Sequence, residues 1–185
     1  AWAVVDALQK NRTVTSLDLS DNALGFSRAG YRPITHLLRS CRSLISLTLR
    51  KNCLGIGRGG AQVITEALGE NSPLISLDLS DNTLGFSHCG LQAIANTLCR
   101  NTILTTLNLN DNHLGYSLDG MQSIADTLRE NVTLTAVTLR NNRLGKHPES
   151  TPAIVSVLRE NSRVVSLDLR NNRFNAMGMY ELREL

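Results

Sequence analysis

An internal repeat of 30 residues constrains this chain more than any other feature. One asparagine recurs at that step, as Asn22, Asn52, Asn82, Asn112, Asn142 and Asn172. A fixed period of this length is the signature of a stacked architecture in which each unit contacts its neighbours. We therefore divide the 185 residues into units near 12–41, 42–71, 72–101, 102–131, 132–161 and 162–185, and we expect them to form a single domain.

Each unit combines a short strand with a helix. Apolar and polar residues alternate through 74–84, which predicts a strand with Leu77 and Leu79 on its buried side. Later in the unit the spacing becomes helical, as for Ile94 and Leu98. The few large aliphatics of one unit contribute about 1.5 to 3 kcal/mol each, whereas ordering each backbone residue costs about 1 to 2 kcal/mol. A unit alone is therefore not expected to fold, and stacking must supply the rest of the core.

The pattern Leu-x-x-Leu-x-Leu-x-x-Asn-x-Leu-Gly, present at 74–85 and 104–115, resembles the leucine-rich repeat family. The helix in every unit resembles the ribonuclease-inhibitor-like class, which includes ribonuclease inhibitor, Nod-like receptors, tropomodulin and the Ran GTPase-activating protein. The resemblance covers essentially the whole chain. It implies an α/β leucine-rich repeat solenoid, a horseshoe with parallel strands on the concave face and helices on the convex face. It also implies that the asparagine side chains bond the backbone of the turns.

The loop between strand and helix departs from the usual pattern by two extra residues in the first four units. The extra residues bring four apolar side chains to equivalent places: Phe26, Ile56, Phe86 and Tyr116. Because recurrent apolar residues usually mark burial, we predict an extended core column here rather than an exposed binding stripe. Residues 146–150 break this column and predict a polar, irregular and exposed loop. The preceding glycine column, in which Asn175 takes the sixth place, predicts left-handed backbone.

No group of residues in the sequence predicts catalysis. The four histidines fall in different columns of the repeat, the cysteines form no C-x-x-C pair, and no phosphate-binding motif follows the glycines. We therefore expect no catalytic, cofactor or metal site, no small-molecule substrate and no enzymatic activity. The residues concerned are His36, His88, His113 and His147, with Cys41, Cys53, Cys89 and Cys99.

The charge and the hydropathy of the sequence bear on its partners and its location. A net charge of +3 is too small to indicate nucleic acid, and Trp2 and Tyr116 are too few to interleave with the arginines. No apolar run is long enough for a membrane span, and the first residues lack the pattern of a secretory signal. We expect a cytoplasmic protein without a membrane segment. Val4 and Leu8 occupy helix positions of a unit without a strand, so we expect the chain to be a section of a longer array.

The outward column of the strands carries the candidate binding residues. The middle units contribute Arg50, Asp78 and Asn108, and the surface there is acidic and polar. Units five and six instead place four arginines beside Asp168, namely Arg140, Arg143, Arg170 and Arg173. Because these four guanidinium groups repel one another, we predict that an acidic surface of another protein meets them.

The function predicted from these features is a non-catalytic protein-interaction scaffold that binds its partner on the concave face. Two alternatives remain open. The resemblance to the Ran GTPase-activating protein implies a regulator of a small GTPase. A structural component of a cytoskeletal or multi-protein assembly is the other alternative.

Overall fold

A computed structural model describes residues 2–56, 58–69 and 72–184, and within them lies an open sheet of parallel strands. The strands are β1 Ser16–Asp18, β2 Ser46–Thr48, β3 Ser76–Asp78, β4 Thr106–Asn108, β5 Ala136–Thr138 and β6 Ser166–Asp168. Their order in the sheet is their order in the chain. Each strand pairs with the next at a shift of one repeat, as for Leu47 opposite Leu77. The prediction of six parallel strands at the repeat spacing is confirmed.

One helix precedes β1 and a helix follows each strand, and together the helices form a second layer. They are α1 Trp2–Gln9, α2 Arg28–Ser40, α3 Arg58–Ala67, α4 His88–Arg100, α5 Leu118–Glu130, α6 Ser150–Glu160 and α7 Ala176–Arg183. Each helix packs against the next one along the chain. Short 3-10 turns at Leu84–Phe86, Leu114–Tyr116 and Leu144–Lys146 precede α4, α5 and α6. The architecture is the expected α/β solenoid.

Aliphatic side chains from the strands and the helices fill the space between the two layers. Leu77 of β3 and the helical pair Ile94 and Leu98 are each no more than 2% exposed. Leu17 and Leu167, in the edge strands β1 and β6, are only partly buried. An edge strand has a neighbouring unit on one side alone, so its core residues keep more contact with solvent.

The recurring asparagines form a buried ladder along the turns. Asn52, Asn82, Asn112 and Asn142 are fully buried, whereas Asn22 in the first unit is exposed. Each buried amide donates to carbonyl oxygens of its own and the preceding unit, and its oxygen accepts from backbone N–H groups of the preceding unit. The role that the family resemblance implied for these side chains is confirmed.

The glycines after the ladder do not adopt left-handed backbone, so that prediction is wrong. Positive φ angles lie instead on both sides of the asparagine, at 58° for Asp81 and 57° for Thr83. Glycine is required for another reason: a Cβ on Gly85 would lie 2.0 Å from the carbonyl oxygen of His113 in the next unit. In the sixth unit Asn175 caps α7, where its side chain accepts a hydrogen bond from the Gly178 N–H at 2.8 Å.

The four apolar side chains of the strand-to-helix loops are not a core column, and this prediction is also wrong. They form an exposed row, here called the apolar ridge: Phe26 (61% exposed), Ile56 (58%), Phe86 (52%) and Tyr116 (49%). The geometry of the turn explains why. Leu84 and Gly85 take the two inward places, and the bond from the Phe86 N–H to the Thr83 carbonyl closes the turn at 3.1 Å. The third residue is thereby left on the outside.

The loop of unit five is exposed as predicted, but it is not irregular. Lys146, Pro148 and Glu149 are exposed, and the 3-10 turn of the preceding units continues through Lys146. The Lys146 ammonium lies 4.7 Å from the centroid of the Tyr116 ring and donates to the Tyr116 carbonyl at 3.0 Å. Ser150, which stands where other units have a glycine, is fully buried.

Candidate functional site

The strand face opposite the helices carries a fixed line of polar side chains across β3, β4 and β5. The Asn108 amide nitrogen donates to an Asp78 carboxylate oxygen at 2.9 Å, and the Thr138 hydroxyl donates to the Asn108 amide oxygen at 2.8 Å. The parallel pairing brings these residues side by side at a shift of one repeat. Because the Asn108 amide is bonded to both neighbouring strands and Asp78 also accepts from the Ser80 N–H at 2.8 Å, the side chains are held in one arrangement.

The structure gathers the three candidate residues of the middle units around one polar recess. Arg50, Asp78 and Asn108 line a space of about 420 Å³ together with Ser80, Asp81, Asn110 and Asp111. Three carboxylates and one guanidinium face this recess, so its charge is mainly acidic. The predicted acidic and polar character of the middle units is therefore located at a defined concavity.

Farther along the same face, Arg170 and Asp168 form a bidentate pair. The Arg170 Nε–H donates to the carboxylate at 2.9 Å, and Nη2 donates at 2.6 Å. These side-chain bonds are the main reason that the pKa of Asp168 is lowered to about 2, and the backbone N–H of Arg170 and the charge of Arg140 lower it further. Asp168 is thus fully ionised near neutral pH and already occupied by one arginine.

The other three arginines of this group are placed differently. Arg140 lies one strand before Arg170 and is exposed, while Arg143 and Arg173 occupy equivalent turns with φ angles of 60° and 62°. Within the described residues none of the three forms a salt bridge. We call the four side chains Arg140, Arg143, Arg170 and Arg173 the arginine rim. One of its members is neutralised by Asp168, and three keep their charge available.

An apolar groove of about 680 Å³ lies next to the rim, and the sequence did not predict it. Arg170 and Arg173 border this groove, and its walls include Leu167, Leu169, Phe174 and Met179. The only sequence signal was the replacement of the repeating leucine by Phe174. The exposure of the apolar ridge was missed as well, because its recurrence alone does not distinguish a buried column from a surface row.

One described thiol has a strongly shifted pKa. Burial is the main cause that raises the pKa of Cys99 to about 11, and the neighbouring Glu130 raises it further, so this thiol stays protonated. Among residues 2–56, 58–69 and 72–184 no cluster of three or more potential ligands could hold a metal ion. The side chains of His88 and Cys89 lie outside the described residues.

None of the described helices has the length and apolar character needed to cross a membrane.

Comparison with known proteins finds the same repeat that the sequence indicated. The family model of the leucine-rich repeat matches residues 10–25 and 100–125. The chain thus contains leucine-rich repeats and has the fold of leucine-rich repeat proteins. The helix in each unit agrees with the ribonuclease-inhibitor-like class that the sequence indicated. No curated protein sequence matches this leucine-rich repeat chain.

Two solved structures share the fold of this chain with TM-scores above 0.5, and a third is more distant. The leucine-rich repeat-containing protein LegL7 from Legionella pneumophila is 26% identical with a TM-score of 0.66, covering 97% of this chain and 55% of LegL7. The leiomodin-1 actin-binding site 2 is 18% identical with a TM-score of 0.53, covering 97% and 83%. The Caenorhabditis elegans tropomodulin C-terminal domain is 12% identical with a TM-score of 0.44, covering 98% and 88%. The chain thus spans about half the length of LegL7.

Proposed function

We propose that this chain is a non-catalytic recognition domain whose open sheet face binds an acidic surface of another protein. The observation that carries the proposal is the arginine rim, in which Arg140, Arg143 and Arg173 have no salt-bridge partner within the described residues. Leucine-rich repeat proteins of this fold are typically non-enzymatic binding proteins. We propose that the chain acts without a cofactor, a metal or a small-molecule substrate, and that it binds neither nucleic acid nor a membrane.

The chemistry of the rim favours carboxylates. A guanidinium group presents a planar fork that matches a carboxylate with two parallel hydrogen bonds. The pair of Arg170 with Asp168 is an example of this geometry within the chain. Because Asp168 is already occupied, a carboxylate of the partner would meet Arg140, Arg143 or Arg173. Like charges held close together also attract an acidic partner from a distance and speed its association.

The polar recess around Asp78 extends the proposed contact. Its three carboxylates and Arg50 lie on the same sheet face as the rim, toward the middle units. A partner that is acidic opposite the rim and polar or basic opposite the recess would therefore complement both. This polarity fixes the direction in which the partner lies along the sheet.

The test reverses two rim charges and leaves the Arg170 pair intact. Arg140→Glu combined with Arg173→Glu is compared with the parent chain and with a matched control, Arg12→Glu combined with Arg163→Glu. Both control arginines are exposed and lie before the strands, away from the rim. The two double variants have the same net charge, so only the position of the reversed charges differs.

Proteins retained by the parent chain from a cell extract are identified, and the dissociation constant of each purified candidate is measured by calorimetry. We expect the rim variant to bind at least about a hundredfold more weakly and with a flatter dependence on salt. The control should bind like the parent. Equal dissociation constants for the rim variant and the control at low salt would contradict the proposal.

A structural role in a cytoskeletal assembly is the second candidate. The leiomodin-1 structure, which shares the fold, is named for an actin-binding site. At 18% identity the likeness is one of fold, so sedimentation of the parent chain with actin filaments is the appropriate test. Regulation of a small GTPase stays the third alternative, and it predicts faster GTP hydrolysis when the chain and the GTPase are mixed.

The burial of the last unit and the state of the cysteines bear on the extent of the domain and on its location in the cell. We propose a single domain of six units that is a section of a longer array, since Leu167 and Leu169 are only partly buried and LegL7 matches over 55% of its length. We also propose a cytoplasmic location. The described thiols Cys41, Cys53 and Cys99 are free, which suits a reducing compartment.

A further inference from the structure

The apolar ridge is a second surface, separate from the arginine rim. Its four side chains lie on the loops that lead from the strands to the helices, whereas Arg140 and Arg170 project from the end of the strands. From their exposed fractions the ridge presents about 450 Å² of apolar surface, which is as large as the largest patch on a typical monomer. The largest apolar patch of a monomer is often functional.

The ridge is held rigid from below. The Gly85 and Gly115 N–H groups each donate to the ladder asparagine carbonyl of the next unit, at 2.9 Å in both cases. The rings of Phe86 and Tyr116 meet edge to face with their centroids 5.1 Å apart, and Phe86 stacks on His113 at 5.2 Å. A partner would therefore meet side chains that are already ordered, and little conformational entropy would be lost on binding.

Charges beside the ridge define the chemistry of the occupant. Asp81 and Asp111 lie in the turns next to Phe86 and Tyr116, and both raise the pKa of His113, which burial lowers overall. Neither carboxylate forms a salt bridge with any described residue. At the other end Lys146 covers the Tyr116 ring. One flank of the ridge is thus acidic, and the Lys146 ammonium lies at its far end.

The repeat spacing selects a helix. The rings of Phe86 and Tyr116, from adjacent units, have centroids 5.1 Å apart, close to the pitch of about 5.4 Å that separates side chains on one face of an α-helix. Side chains on one face of a β-strand are about 6.6 to 6.8 Å apart and would not match the spacing of these rings. The area also excludes a stable pair of ridges, because such an interface needs about 800 Å² on each partner.

We propose that the apolar ridge is a docking surface for an amphipathic helix of a partner protein. This helix carries one apolar side chain on each turn and lysine or arginine along the flank that faces Asp81 and Asp111. The apolar side chains pack between Phe26, Ile56, Phe86 and Tyr116, and the basic side chains pair with the two carboxylates. The contact uses no residue of the arginine rim, although Asp81 and Asp111 also line the polar recess, and it extends the proposed function to a second partner segment.

The probes are synthetic helical peptides of about four turns. The first has one leucine per turn and lysines along one flank. The second has glutamates in place of the lysines, and the third has the composition of the first in scrambled order. Binding to the full chain is measured by fluorescence anisotropy, and the residues involved are located from amide shifts in nuclear magnetic resonance spectra.

Four double variants, one of them a control, separate the apolar and the charged contributions. Phe86→Ser combined with Tyr116→Ser removes half of the ridge, and Met177→Ser combined with Tyr180→Ser removes two somewhat more exposed side chains from α7 as a control. Phe26→Ser combined with Ile56→Ser tests the other half of the ridge, so that a folding defect in the first variant leaves the proposal testable.

The charge variant is Asp81→Asn combined with Asp111→Asn. The equivalent positions in units five and six are Asn141 and Asn171, which adopt the same φ angles of 58° and 59°. The backbone therefore accepts asparagine at both substituted positions, and the loss of charge is the main change.

The lysine peptide should bind the parent chain and the α7 control alike, and either ridge variant should weaken it by about tenfold or more. The glutamate and scrambled peptides should bind more weakly than the lysine peptide. The variant without the two carboxylates should lose the preference for lysine over glutamate.

The proposal is overturned if no peptide binds, if the scrambled peptide binds as tightly as the lysine peptide, or if both ridge variants bind like the parent. It is also overturned if sedimentation shows a dimer of the parent chain that the ridge variants abolish, because the occupant is then a second copy.

Discussion

Replacing the buried ladder residue Asn112 by alanine tests the central structural reasoning. Its side chain donates to the carbonyl oxygens of Leu79 (2.8 Å), Leu109 (3.1 Å) and Asn110 (3.1 Å). The same amide accepts from the N–H groups of Asn82 (3.0 Å) and Leu84 (3.3 Å). Alanine removes all five bonds from a position that is fully buried.

The five lost hydrogen bonds do not cost the same free energy of unfolding. Each of the three carbonyl oxygens keeps another donor, as Leu109 does with the Asn142 amide at 2.8 Å. The N–H groups of Asn82 and Leu84 instead lose their acceptor. A buried donor without a partner costs about 1 to 3 kcal/mol, and the longer bond to Leu84 lies at the low end. A water molecule in the vacated space can bond one of the two, so we expect a loss of about 2 to 4 kcal/mol.

The matched control is Asn22→Ala, because Asn22 has the same place in the turn but is exposed. Its amide donates to the carbonyls of Leu19 and Ser20, which water can solvate after the substitution. We expect this control to lose about 1 kcal/mol or less.

Urea denaturation followed by circular dichroism gives the free energy of unfolding of each variant. An equal slope of this free energy against urea concentration indicates that each variant exposes the same amount of surface on unfolding. The reasoning is refuted if Asn112→Ala loses less than about 0.5 kcal/mol or no more than Asn22→Ala.

Two further predictions use the same chain. Gly85→Ala should lose about 3 kcal/mol or more, because its Cβ would meet the His113 carbonyl at 2.0 Å, whereas Gly69→Ala has its nearest neighbours at 3.5 Å and should be neutral or stabilising on urea denaturation. The carboxyl of Asp168 should titrate in nuclear magnetic resonance spectra with a pKa of about 2, and Arg170→Ala should raise that pKa. Since the folded pKa lies below the unfolded value of about 3.9, the pair stabilises the fold above that pH, and the contribution disappears as the pH falls toward 2.

The repeat period determined the fold because stacking converts sequence spacing into spatial register. Leu77 lies opposite Leu47 and Leu107 at a shift of one repeat, and every outward column follows from that register. For this reason the neighbours of Asp78 and Asn108 were predictable from the sequence. The same logic placed Arg140 beside Arg170.

The details that the sequence predicted wrongly or left open depend on distances which a period does not contain. Whether Phe86 lies inside or outside its turn depends on how the 3-10 hydrogen bond closes after Leu84 and Gly85. The pairing of Arg170 with Asp168 depends on side-chain rotamers within one strand end. Gly85 is needed for a close approach between units, and that approach appears only when two turns are stacked.

The two proposed surfaces differ in their physics, and this difference allows them to be separated in one protein. The rim acts through exposed guanidinium groups, so its contribution falls as salt shortens the Debye length to about 8 Å at physiological ionic strength. The ridge acts mainly through burial of Phe26, Ile56, Phe86 and Tyr116, and salts that are excluded from protein surfaces strengthen such burial. Raising the concentration of sulfate should therefore weaken a partner held by the rim while it retains or strengthens a helix held by the ridge. The loops with two extra residues add the ridge without disturbing the sheet that carries the rim. The two surfaces can therefore bind different segments, and their opposite responses to salt distinguish them.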